Sequence, residues 1–247
     1  VQLTYVPYHL DQHHPDLAVP LPAGADVTEI TVELPAGDVF ARLVPLYSAV
    51  AGAVAASPET PVVSGDCTVT LAMAAGMLRA GLDPSVVWID AHGDVQTLET
   101  SASGYVGGTA LRLLLGYRRE AVLDRLGVAP FASDRVLLVD ARDLDPPEVE
   151  FLASSAVRRV PLSSLPSSLP EGQLLVNVDL DVLAPSALPG ARYVAPGGPS
   201  VATLVSAVRT ILATGRVEGL HIACTWEPGR PDLQSLRGEI IAELLTP

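Results

Sequence analysis

Ser85-Val86-Val87-Trp88-Ile89-Asp90-Ala91-His92-Gly93-Asp94 is the stretch that decides the fold. Its first five residues are apolar almost without interruption and rich in β-branched side chains. A run of that kind, too short for a helix and without polar alternation, reads as a strand buried on both faces. It stops at Asp90 and passes into three polar residues at alternate positions. The same design recurs twice. Residues 61–64 run into Gly65-Asp66-Cys67, and residues 173–178 run into Asp179-Leu180-Asp181. Further strands are read at 1–6, 27–34, 135–139, 156–160 and 217–223. Helices are read at 38–56, 68–80, 105–115, 146–154, 200–213 and 231–245. Short apolar strands separated by helices predict an α/β fold, three-layer α/β/α with a central, mostly parallel sheet. The Ser- and Pro-rich stretch 163–170 reads as a surface loop. No internal repeat or linker divides residues 1–247, which are expected to form a single domain.

Composition narrows the function. Hydrophobic residues make up 49% of 247, enough for one sizeable core. The formal net charge of −13 disfavours nucleic acid and anionic membranes and favours cationic ligands and divalent metals. No uninterrupted apolar run approaches the roughly 18 residues a membrane span needs. The first eight residues do not read as a signal peptide. Two cysteines, Cys67 and Cys224, form no disulfide framework and suit a reducing, cytoplasmic setting.

In an open parallel sheet, ligands collect at the carboxyl ends of the strands. In extended chain, alternate side chains point the same way, so Asp90, His92 and Asp94 are expected to converge. Asp179 and Asp181 add two more carboxylates. Clustered carboxylates repel and do not all stay ionised without compensation, and no Lys or Arg lies nearby in sequence. A pair of divalent cations resolves this, and carboxylate plus imidazole suits Mn²⁺ or a related ion. The plainer reading of a strand-end aspartate is a helix cap or turn residue. It fits any one of them better than both clusters together. His9, His13 and His14 lie in a polar, Pro-containing stretch and read as surface or loop residues. Cys224, near a strand end, reads as a small buried hydrophobe.

Asp90-Ala91-His92-x-Asp94 after a strand, with Asp179-x-Asp181-x-x-x-Pro185 some 85 residues on, resembles the arginase, agmatinase and formiminoglutamase family. Ser64-Gly65-Asp66-Cys67-Thr68, Ser103-Gly104-Tyr105-Val106-Gly107-Gly108 and Ala141-Arg142-Asp143 with Glu148 resemble further segments of that family, in its order. The resemblance implies an arginase-like fold and two metal ions, Mn²⁺ in the family, that hydrolyse guanidino compounds through a bridging hydroxide. It assigns Asp90 and Asp179 as bridging carboxylates, Asp94 to the first metal, and His92 and Asp181 to the second. Cys67 stands where the family has a histidine on the first metal, so Zn²⁺ or Fe²⁺ becomes an alternative there. Gly107 replaces the family's proton-shuttling loop histidine. Thr225 replaces the glutamate that grips the guanidinium, with Glu227 able to substitute for it, and Ala184 replaces an aspartate.

The function this implies is metal-dependent hydrolysis of a C–N bond in a small cationic guanidino or amidino compound, a linear amidine, releasing urea or a related amide. Asp94 is placed to move a proton to the leaving amine. The resemblance also implies a homo-oligomer. The losses at Cys67, Gly107 and Thr225 keep open a different class, a degenerate metal-binding protein without turnover. A metal-dependent deacetylase, related in outline, lacks support because its paired catalytic histidines are missing.

Overall fold

A computed structural model describes residues 1–14, 21–223 and 231–246. Its ten strands are β1 (Gln2–Val6), β2 (Tyr8–His9), β3 (Gln12–His13), β4 (Asp26–Glu29), β5 (Val62–Ser64), β6 (Ser85–Asp90), β7 (Val136–Asp140), β8 (Arg158–Val160), β9 (Leu174–Asp179) and β10 (Val217–Ala223). Eight of them form one sheet in the order β4-β1-β5-β10-β9-β6-β7-β8, with every recorded pairing parallel. The α-helices are α1 (Val39–Ala56), α2 (Thr70–Arg79), α3 (Ala110–Leu114), α4 (Leu123–Leu126), α5 (Pro146–Ser154), α6 (Leu165–Ser168), α7 (Val201–Leu212) and α8 (Gln234–Leu244).

The apolar strands are the reason for three layers. Successive side chains of a strand point to opposite faces. Val86 and Trp88 of β6 accordingly join one core cluster with α1 and α2, while Val87 and Ile89 join another with α7 and α8. Helix α1 is 18 residues long with a mean hydropathy of 1.6, long and apolar enough by length and composition to cross a membrane. Its Leu43, Leu46, Tyr47, Val50 and Val54 are instead buried in the first cluster. Asp38 caps α1 by accepting from the Ala41 amide at 2.9 Å. Asp145 and Glu148 form a capping box that starts α5 at Pro146.

Several boundaries differ from the sequence reading. The strand expected at 27–34 ends at Glu29. The helix expected at 105–115 begins only after Gly107–Thr109, a 3-10 turn. The expected surface loop at 163–170 contains a 3-10 turn and α6, with a proline in its first turn where helices tolerate it. The β2–β3 hairpin escaped notice because two-residue strands carry no periodicity.

Candidate metal centre

Three neighbouring strand ends deliver the site. Asp90 closes β6 and Asp179 closes β9. Ser64 closes β5 and leads through Gly65 and Asp66 to Cys67, the first residue of a 3-10 turn entering α2. Ala223 of β10 pairs with both Ser64 and Asp179, which levels the ends of β5 and β9 on either side of it.

After Asp90 the chain does not stay extended, contrary to the expectation for residues 90–94. The Asp90 carboxylate accepts from the His92 amide at 2.7 Å, which turns the chain at once. Asp94 then adopts φ of 54°, a left-handed conformation uncommon outside glycine. His92 is therefore brought back by a turn, with its Nδ1 3.0 Å from Asp181 and 3.4 Å from Asp90. The Cys67 sulfur lies 3.1 Å from Asp179 and 3.7 Å from Asp90. Two sets of donor atoms result, Cys67–Asp90–Asp179 and Asp90–His92–Asp181. In each set the atoms lie within 4.8 Å of one another, and Asp90 belongs to both. Asp94 is in neither set, but it lines the same cavity of about 330 Å³ together with Cys67, Asp90, His92, Asp179 and Asp181. The capping role holds for part of this cluster. Asp66 accepts from the Thr68 amide at 2.8 Å and the Leu10 amide at 2.6 Å, and Asp179 accepts from the Asp181 amide at 3.0 Å.

Electrostatics follows from burial. Asp90, Asp94, Asp179 and Asp181 are each less than 10% exposed. Burial, then the charge of Asp90, pushes the Asp94 carboxyl well up; burial, then Asp181 and Asp90, does the same to Asp179. Burial and Asp90 push Asp181 up to about 7. Burial alone would lower the His92 pKa, but its hydrogen bonds to Asp181 and Asp90 outweigh that and push it up to about 12. Burial and the neighbouring aspartates also push the Cys67 thiol up. So many acceptor groups, packed where water cannot screen them, form a donor set that added positive charge would relieve. Hard carboxylate oxygens, one imidazole and one sulfur fit divalent cations.

One wall of the cavity was not anticipated. His9, expected on the surface or in a loop, is 6% exposed and its Nε2 is hydrogen-bonded to the Tyr105 hydroxyl at 2.7 Å. The Tyr105 ring packs against Tyr193 at 4.7 Å between centroids, and both rings line the cavity. Burial, then Asp66, pushes the Tyr105 pKa up, so the phenol keeps its proton. A side chain at Gly107, also in the wall, would overlap the phenol end of Tyr105. No spacing in the sequence joins His9 to Tyr105, which lie 96 residues apart. Asn177 and His221 were missed as well, although a polar residue inside an apolar strand was a usable signal. Thr225 and Glu227, expected at the substrate, and Cys224 lie outside the described residues.

Known proteins resemble this chain in sequence and in fold. N(omega)-hydroxy-L-arginine amidinohydrolase of Streptomyces lavendulae is 28% identical over 193 residues, an alignment that takes in 76% of this chain and 68% of that enzyme. Arginase of Bacillus subtilis (strain 168) is 35% identical over 98 residues, 39% of this chain, which spans 33% of that enzyme's length. The crystal structure of arginase from Bacillus subtilis subsp. subtilis str. 168 superposes with a TM-score of 0.81 at 20% identity, covering 100% of this chain and 98% of the other, and so has the same fold. A model of the arginase family matches residues 23–225, from before β4 to beyond β10, and the chain belongs to the arginase family.

Proposed function

We propose that this protein hydrolyses a C–N bond in a small cationic guanidino or amidino compound, using two divalent cations held by Cys67, Asp90, His92, Asp94, Asp179 and Asp181. The observation that carries the reading is the pair of donor sets that share Asp90 in one cavity. Bound at these residues, divalent cations supply the charge that lets the aspartates ionise together and the Lewis acidity that lowers the pKa of water. Mn²⁺ is the expected ion, with Zn²⁺ or Fe²⁺ favoured where the Cys67 sulfur is a ligand. Hydrolysis adds water to the trigonal carbon, breaks the C–N bond and yields urea or a related amide plus an amine. Asp94, a carboxylate lining the same cavity, is the residue we assign to accept a proton from the attacking water and pass it to the leaving nitrogen. Thr225 and Glu227 are the residues we assign to hold the substrate cation.

A modified guanidine or amidine suits this site better than L-arginine. Gly107 offers no side chain to protonate a poor leaving amine, and Thr225 offers no charge to anchor a permanent cation. An N-hydroxyguanidine is less basic and so asks less of a charged anchor, and the Streptomyces lavendulae relative carries N(omega)-hydroxy-L-arginine in its name. The proposal includes one domain over residues 1–247, a cytoplasmic homo-oligomer, and no nucleic-acid or membrane partner, in keeping with the net charge of −13.

The test is calorimetry of chelator-stripped protein with Mn²⁺, then kcat/KM for L-arginine, agmatine, guanidinobutyrate, N-hydroxyarginine and formiminoglutamate. Two bound ions per chain are expected, abolished as a pair by Asp90→Asn or Asp179→Asn. L-Arginine turning over above all the others would overturn the substrate preference. Tight metal binding without any turnover would favour a degenerate metal-binding protein, a reading that the changes at Cys67 and Gly107 support.

A further inference from the structure

Asn177 and His221 are polar residues placed directly opposite each other on β9 and β10, and neither is exposed to solvent. Such groups are costly to bury unless their hydrogen bonds are complete. Here they are. The Asn177 carbonyl oxygen lies 2.8 Å from His221 Nδ1 and accepts from the Thr70 hydroxyl at 3.0 Å. Thr70 Oγ1 is also 2.8 Å from His221 Nδ1. On the other side of the imidazole, Nε2 lies 2.8 Å from the Ser64 hydroxyl. The far end of the Asn177 amide, Nδ2, donates to the Cys67 sulfur at 3.3 Å.

The chemistry of the amide makes this arrangement directional. Two acceptors do not sit 2.8 Å apart, so a hydrogen lies between Asn177 Oδ1 and His221 Nδ1, and Nδ1 carries it. Burial pushes the His221 pKa down to about 3, which leaves the ring neutral, and with Nδ1 protonated Nε2 shares the Ser64 hydroxyl hydrogen, at 2.8 Å, with the Asp66 carbonyl, which lies 2.9 Å from the same hydroxyl. Nδ1–H and the Thr70 hydroxyl then occupy both lone pairs of the Asn177 carbonyl. The NH₂ end is thereby turned towards the sulfur. A carbonyl turned the other way would demand an S–H donor, whereas an amide NH₂ suits a sulfur that has given up its proton to a metal.

We propose that Asn177, locked by His221 and Thr70, is a positioning residue that fixes the Cys67 sulfur as a metal ligand and biases its half of the site towards Zn²⁺ over Mn²⁺. This rests on the reading of Cys67 as a ligand. Groups that orient a metal ligand from behind alter metal affinity by about 10- to 100-fold when removed. A sulfur ligand favours softer ions than the all-oxygen alternative does.

The test uses the full chain, stripped with chelator and loaded with Co²⁺, whose sulfur-to-metal charge-transfer absorption reports the Cys67 bond. Competition calorimetry then gives the Zn²⁺/Mn²⁺ affinity ratio. Wild type is expected to show the band, and Cys67→Ser to lose it. Asn177→Leu is expected to shift or remove the band and to lower the Zn²⁺/Mn²⁺ ratio by about 10-fold or more. His221→Gln, which can still donate to the Asn177 carbonyl, should keep the band, while His221→Leu should behave like Asn177→Leu. A merely structural role would move the melting temperature in all three variants without moving the absorption energy. If Asn177→Leu does not fold, Thr70→Val removes one of the two donors on the amide and is read the same way. An unchanged band and ratio in the folded variants would overturn the inference. Co²⁺ bound by wild type without the band would overturn it while leaving the metal centre standing. No divalent ion bound at all would overturn both.

Discussion

Placing a histidine at position 107, where the resemblance to the arginase family puts one, is a change the structure predicts will fail. A Cβ at Gly107 would overlap Cε1, Cζ and the hydroxyl of Tyr105. The backbone at Gly107 is not the obstacle, because its φ is not positive. The ring cannot yield cheaply. Its hydroxyl is hydrogen-bonded to buried His9 at 2.7 Å and its face packs on Tyr193. Displacing it would leave a buried imidazole nitrogen unpartnered, at about 1–3 kcal/mol, and lose a ring contact of about 1 kcal/mol. Gly107→His should therefore destabilise by roughly 2–4 kcal/mol, a fall in Tm of about 5–15 °C for a chain of this size. Thermal melts of Gly107→His, Tyr105→Ala and the double variant close a cycle. The double variant should recover about 1–3 kcal/mol relative to additivity, because the clash disappears with the phenol. If Gly107→His melts with wild type, the Tyr105 ring moves freely and the wall described here is not a fixed part of the site.

The remaining predictions concern charge, ligand and core. In chelated protein, Asp181 titrates near 7 when folded and near 4 when unfolded, so the folded state holds a proton the unfolded state has released between those values. Stability should therefore fall as pH rises from about 4 to 7, by about 4 kcal/mol from Asp181 alone. Asp94 and Asp179 add to the fall in the same direction, and His92, raised to about 12, extends it above pH 6.5. Melts at pH 5 and 8 with chelator and with Mn²⁺ check this: Mn²⁺ should raise Tm more at pH 8, and a flat chelated profile would refute it. Cys67→His should tighten Mn²⁺ at that half of the site about 10-fold by calorimetry, and an unchanged affinity would mark Cys67 as a packing residue. Gly76→Ala places a Cβ 2.6 Å from the Val54 Cβ and 2.7 Å from the Ala51 carbonyl, where α2 meets α1. Crowding should exceed the gain in helix propensity and lower stability by about 1 kcal/mol in denaturant melts.

Strands such as Ser85–Asp90 and Val136–Asp140 were legible because a strand buried on both faces leaves an unbroken apolar run. The aspartates at their ends were legible because polarity changes there abruptly. Helix 105–115 was read too long because its apolar residues continue across Gly107-Gly108, and two glycines weaken a helix that sequence pattern alone would extend. The convergence of residues 90–94 was anticipated, but by extended alternation. The turn that produces it depends on a hydrogen bond from the His92 amide to the Asp90 side chain that spacing cannot reveal. His9 and Tyr105 are 96 residues apart and carry no shared pattern.

Glu148 links the metal loop to a distant helix. One of its carboxylate oxygens accepts from the Asp145 amide and closes the capping box of α5, at 3.0 Å; the other accepts from the Val95 amide at 3.2 Å. A Cβ at Gly93 would lie 2.7 Å from the same carboxylate, so the loop rests directly on the cap. Fraying of the first turn of α5 and loosening of residues 93–95 are then one opening event, governed by a single side chain. The amides of Asp145 and Val95 should exchange with deuterium at a common rate, and a mutation that frays α5 should be felt at Asp94 as a loss of protection in the loop that carries it.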